Sequence, residues 1–299
     1  MRRKDSPRAL RVATEPGGLD ERFAEVKAGC LRYFVGGASS DPLILIHGLG
    51  GAASNWRALA PLLASRHRLL IPDLPGHSGS SPLPAMRSLE TLADRICVLA
   101  ERERLLPAVL VGHSLGGLVA LRAARRQPGD VRGVVLAGAA GISSAGARAR
   151  YALAITAAVK PGRRLAPFRR TIAVRPRLRR LVLAWGSADT AALQPWVAES
   201  FLVGPALHAD TASSASALVV DDVRQYLGEV RCPCLVLWGA RDTQTRVGDA
   251  FDYARRLRAR LRVLADCGHL LIGERPDACA AAIDEFVAGL PITPGSGVR

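Results

Sequence analysis

Several familiar signatures are missing from this sequence. No apolar run among its 299 residues approaches the ~20 that span a bilayer, which argues against a transmembrane protein. Met1-Arg2-Arg3-Lys4 has the charge of a secretory signal, but no apolar segment follows it. A cytoplasmic protein is the expectation. Helix-turn-helix, zinc-finger and RNA-binding signatures are also missing, so nucleic acid is not expected as a partner. The cysteines Cys30, Cys97, Cys232, Cys234, Cys267 and Cys279 lack metal or redox spacing, since a single residue separates Cys232 from Cys234. They read as free, buried thiols of a reducing compartment, with Cys267 close enough to His269 to line a site there. No internal repeat is visible. Negative charge is scarce: 26 acidic residues against 41 Lys and Arg leave a net charge of +15. Between Asp130 and Asp189 no acidic residue occurs at all.

What is present suffices for one large α/β domain, or a domain with an insertion. Hydrophobic residues make up 49% of the chain. Residues 1–22 are polar and basic and read as a loose tail. Short apolar runs then alternate with helical patterns. Phe23–Lys27 and Leu31–Val35 suggest an antiparallel hairpin at a sheet edge. Leu43–Ile46, Arg68–Ile71, Ala108–Val111, Gly133–Gly138, Cys234–Trp238 and Leu261–Leu264 read as further strands. Helical patterns cover Asn55–Ala64, Ser88–Arg104 and Pro276–Leu290. From about Ile142 to Glu229 the alternation stops. That stretch reads as helices with proline breaks: Ala147–Val159, Arg175–Trp185, Leu193–Val203 and Ser213–Leu227.

The chain is organised around Gly112-His113-Ser114-Leu115-Gly116, which follows an apolar strand and precedes a helix. A serine on so sharp a turn takes a strained backbone, and its neighbours two before and two after must be small. The turn raises the hydroxyl clear of the sheet at a helix N-terminus, where unpaired N–H groups favour an anion. Here the sequence resembles the α/β-hydrolase family, and the resemblance runs from about Phe23 to Leu290. It implies an α/β fold with a mostly parallel central sheet, helices on both faces and an inserted helical cap. The core would comprise residues 23–141 and 230–292, and the cap residues 142–229.

The same resemblance implies the rest of the site. His47-Gly48-Leu49-Gly50-Gly51 matches the family's oxyanion loop, so the N–H of Leu49 and the N–H of Leu115 are the expected oxyanion donors. Pro72-Asp73-Leu74-Pro75-Gly76-His77-Ser78 resembles a family loop that usually carries glycine where Ser78 stands. Asp73 precedes the nucleophile, whereas the family order is Ser, acid, His; Asp73, His77 and His47 are therefore assigned structural roles. In some members the acid follows the strand ending at Gly138, but no carboxylate follows here. Asp242, just past the strand Cys234–Trp238, takes that place, with Asp249 and Asp252 poorer candidates. His269, past the last strand, completes a Ser114, Asp242, His269 set. Gly48, His113 and Leu270 are expected to line the substrate site.

The reaction implied is attack of Ser114 on a carbonyl with His269 as base and Asp242 behind it, requiring no metal or other cofactor. A small-molecule carboxylic ester is the first expectation for the substrate. Carbon–carbon bond hydrolases of the family often carry Asn before the serine and Trp after the histidine, where this chain has His113 and Leu270. A C–C hydrolase, an acyl-carrier or acyl-CoA thioesterase, and a non-catalytic binding protein on the same fold stay as alternatives. Finally, Lys160, Arg163, Arg164, Arg169, Arg170, Arg175, Arg177, Arg179 and Arg180 cluster in the expected cap. They form either a solvated face or a docking surface for an acidic carrier protein or anionic lipid.

Overall fold

The computed structural model describes residues 15–26, 29–38, 41–83, 88–143 and 161–291. The eight strands are β1 (Asp20–Val26), β2 (Gly29–Gly36), β3 (Pro42–Ile46), β4 (Arg68–Pro72), β5 (Ala108–His113), β6 (Val131–Ala137), β7 (Cys234–Gly239) and β8 (Arg260–Leu264). They form one sheet in the order β1-β2-β4-β3-β5-β6-β7-β8. The β1–β2 and β2–β4 pairs are antiparallel; from β4 to β8 every pair is parallel. The expected edge hairpin and mostly parallel sheet are thus both present.

The central strands β3 to β7 are apolar almost throughout because they are buried on both faces, whereas the edge strands β1 and β8 are largely exposed. Successive side chains alternate between the two faces. Ile44, Leu110, Val134 and Val236 enter one core, with α1 (Leu89–Arg102), α2 (Leu115–Arg126) and α7 (Val247–Leu257). Leu45, Val111, Val135 and Leu237 enter the other, with α8 (Pro276–Ala288) and the short helix Ala60–Ala64. Each fully buried Leu, Ile or Val contributes about 1.5–3 kcal/mol.

Between β6 and β7 the described residues form helices and no strand. They include α3 (Arg169–Val174), α4 (Pro176–Leu183), α5 (Pro195–Val203) and α6 (Ala212–Val220). Ile172, Leu183, Val197 and Leu202 give this segment a small core of its own. The helix expected at Ala147–Val159 lies outside the described residues.

Two helices expected as continuous are interrupted. Asn55–Ala64 begins as a 3₁₀ turn, Ala53–Trp56. There the Asn55 amide accepts from the Ala52 N–H and donates to the Ser200 carbonyl. Ser213–Leu227 stops as a helix at Val220. Asp221 turns to Arg122 and to the Tyr226 hydroxyl, and Asp222 caps a new 3₁₀ turn at the Arg224 N–H.

Candidate active site

Ser114 joins β5 to α2 with φ 54° and ψ −117°. A non-glycine residue there is strained, so the surroundings must hold it. Its N–H donates to the Ala137 carbonyl at 3.1 Å, and its carbonyl accepts from the N–H groups of Gly117 (3.0 Å) and Ala140 (3.1 Å). A Cβ at Gly112 would overlap the Gly116 carbonyl, and one at Gly116 the Ile46 carbonyl. This close packing is why small residues flank the serine. Ser114 is half-buried whereas His113 and Leu115 are buried.

Asp242 and His269 come together from the ends of β7 and β8. The His269 Nδ1–H donates to Asp242 Oδ2 at 2.7 Å. That bond leaves Nε2 as the ring's proton acceptor. Oδ1 of Asp242 accepts from the N–H groups of Gln244 (2.8 Å) and Thr245 (2.9 Å), and the Thr245 hydroxyl donates to Oδ2 at 2.8 Å. Burial alone would raise the Asp242 carboxyl. The bond to His269, its charge and the Thr245 groups outweigh burial and hold the carboxyl below its ordinary value.

His113 ties this pair to the serine that follows it in sequence. Its Nε2–H donates to the His269 carbonyl at 2.8 Å, and the two ring centroids are 4.8 Å apart. Leu270 is buried beside His269; its N–H donates to the Gly186 carbonyl at 2.9 Å.

The loop after β3 completes the site. Gly48–Gly51 is a tight turn closed by the Gly51 N–H on the Gly48 carbonyl at 3.0 Å, with Gly50 at φ 68°. A left-handed third position requires glycine. A Cβ at Gly48 would lie 2.9 Å from the Ser114 Cβ, so the turn that leads into Leu49 packs against the serine. Leu115 opens α2, and a first-turn N–H has no partner within its helix. His47 braces the turn from below. Its Nδ1–H donates to the Gly48 carbonyl at 2.8 Å, and its Nε2 accepts from the Leu74 N–H at 2.9 Å.

The alpha/beta hydrolase family signature matches residues 43–282. The chain belongs to this family. It is 35% identical to the pimeloyl-(acyl-carrier protein) methyl ester esterase of Aromatoleum aromaticum, over 83% of this chain and 98% of that one. It is 30% identical to the dihydrolipoyllysine-residue acetyltransferase component of the acetoin cleaving system of Pseudomonas putida, over 85% of this chain and 67% of that one. The solved structure of a hydrolase from Pseudomonas aeruginosa superposes with a TM-score of 0.68 at 26% identity, covering 91% of this chain and 99% of that one.

Within this hydrolase fold Asp73 stands apart from His269. It is buried in an ion pair with Arg32 at 3.4 Å and accepts from the N–H groups of Ala53 (2.8 Å) and Gly79 (3.1 Å). His77 is buried and spans back to the Pro75 carbonyl at 3.0 Å. Ser78 has φ 44°, which explains why glycine is usual there. Asp249 accepts from Ser143, and Asp252 pairs with Arg255 and Arg256. Cys267 does not line the site; it is buried in the core shared with α8, which pushes its thiol up to about 12.

Two contributors went unnoticed in the sequence. Thr245 grips Asp242, and the spacing of the two across a post-strand turn was the available signal. His208, from the helical segment, donates from Nε2 to the Gly50 carbonyl at 2.9 Å and accepts from the Ser78 N–H on Nδ1 at 2.9 Å. Nothing local in the sequence points to it.

Proposed function

We propose that this hydrolase cleaves carboxylic esters through an acyl-enzyme on Ser114. The 2.7 Å Asp242–His269 hydrogen bond, tied through His113 to a strained serine at a helix start, supports this reading. A serine hydroxyl is a weak nucleophile at neutral pH, so His269 Nε2 takes its proton as Oγ attacks the ester carbonyl. Asp242 holds the Nδ1–H tautomer and stabilises the imidazolium. The N–H groups of Leu49 and Leu115 receive the oxyanion, each such donor stabilising the transition state by about 3 kcal/mol. His269 returns the proton to the leaving alcohol. Water then attacks the acyl group with His269 again as base, releasing the acid and restoring Ser114.

The ester reading is favoured over C–C cleavage by His113 and Leu270, which stand where that branch often has Asn and Trp. The Aromatoleum relative bears an ester name in full. The helical segment between β6 and β7 is the cap in this reading, because Trp185 brings its ring to 6.4 Å from that of His269. The experiment is a panel of p-nitrophenyl esters of graded acyl length, run on wild type and Ser114→Ala. Hydrolysis should fall by at least ~10³-fold in the variant while the fold is retained. Equal turnover by both proteins overturns the serine mechanism.

A further inference from the structure

The helical segment leaves large apolar side chains in water among its arginines. Its helix α4 buries Arg179 and Leu183 inward and turns Arg177, Arg180 and Leu181 outward. Leu181 is 80% exposed, Val174 at the end of α3 is 62% exposed, and Trp185 is 50% exposed. Arg177 and Leu181 lie four residues apart on α4 and share its outer face, and the exposed Trp185 follows in the turn just past Leu183, extending this ridge. Among the described residues, Arg175, Arg177 and Arg180 form no ion pair with a carboxylate. The structure also trims the expected cationic cluster. Arg169 is buried against Glu199, and Arg179 is buried with its guanidinium on the carbonyls of Ala173, Thr190 and Ala191. Lys160 lies outside the described residues.

We infer that this ridge docks the enzyme on an anionic lipid surface and that its ester is presented there. Apolar tips set between arginines match a phosphate layer lying over hydrocarbon: the arginines reach phosphates while Leu181, Val174 and Trp185 enter the acyl boundary. Scattered leucine and tryptophan tips on a convex helix offer no groove for a folded partner. The absence of any acidic residue between Asp130 and Asp189 removes repulsion from such a surface. The ridge also ends at the chemistry, since the ring of Trp185 is the one that approaches His269. The Trp185 carbonyl accepts from the Thr243 hydroxyl (2.7 Å) and the Gln244 amide (3.1 Å), fixing this end of the ridge on the Asp242 loop. An ester leaving the lipid at Trp185 therefore enters beside Ser114. The substrate half of this inference rests on the proposed esterase chemistry; the docking half does not.

The test is co-sedimentation of the full chain with phosphatidylcholine vesicles, with and without phosphatidylglycerol, at low and physiological salt. Binding should require phosphatidylglycerol and weaken with salt. Each arginine near such a surface is worth about fivefold in partitioning, so Arg177→Glu with Arg180→Glu should weaken binding by about tenfold or more. Leu181→Asp should weaken it at both salt concentrations. None of these variants should change hydrolysis of a short, water-soluble ester. Equal binding to both vesicle types, or Leu181→Asp binding like wild type, overturns the inference. So does capture of an acidic acyl carrier protein through the same arginines with no vesicle binding. Ser114→Ala separates the two claims: it should sediment like wild type and hydrolyse nothing. Sedimentation with undiminished hydrolysis would retire the chemistry alone, and lost hydrolysis without sedimentation in any form would retire the docking alone.

Discussion

At the residue scale, two buried aspartates have opposite employments. Asp242 faces His269, and Asp73 faces Arg32. Asp242→Asn keeps the shape but presents an amide N–H or a neutral carbonyl to Nδ1, so the imidazolium loses its partner. It should lower kcat by up to ~10⁴ with little change in the urea midpoint. Asp73→Asn weakens a buried hydrogen-bonded site while Arg32 keeps its pair with Glu21, and should cost about 1–3 kcal/mol of stability. The kcat of the folded fraction should stay within about tenfold of wild type. If Asp73→Asn were instead the kinetically crippled variant, the acid would be misassigned. Ser78 offers a gain. At φ 44° a glycine avoids the left-handed penalty, so Ser78→Gly should raise stability by about 0.5–1 kcal/mol in thermal melts.

Elements decide how these residues meet. The central strands are legible because burial on both faces leaves continuous apolar runs, and Ser114, Asp242 and His269 stand out because each follows a strand. Order and the missing carboxylate after Gly138 single out Asp242 as the candidate acid. Thr245 and His208 were not found, because their roles exist only once separate loops are packed together. The break at Asn55 was hidden for the same reason: its amide is satisfied by Ser200, far along the chain. The helical segment is bonded to the loops of the candidate site. Gly186 accepts from the Leu270 N–H, and Ala188 donates to Glu274, which also accepts from the Gly268 N–H. His208 grips the turn that carries Leu49. His208→Ala should therefore lower kcat more than it raises KM. The loss should stay below the ~10²–10³ of removing an oxyanion donor outright. A pure KM effect would mean that His208 shapes binding rather than the turn.

Across the whole molecule, burial keeps several histidines neutral. It lowers His47 to about 3, His113 to about 3 and His208 to about 4. The unfolded chain takes up these protons near pH ~6.5, while the folded chain refuses them until far lower pH. Stability is thus complete above ~6.5 and declines as pH falls towards about 4. The net charge of +15 adds self-repulsion in the same direction. Urea midpoints should fall steadily from about pH 7 to about pH 5, and a flat profile would contradict the neutral, buried placement. The proposed chemistry requires a single activated serine. Fluorophosphonate labelling followed by intact-mass and peptide mapping tests it most directly, because the reagent requires an activated nucleophile and no knowledge of the natural ester. One label per chain is expected at Ser114, slowed in Asp242→Asn and absent in Ser114→Ala. No label, or a label on another residue with ester hydrolysis intact, would contradict it.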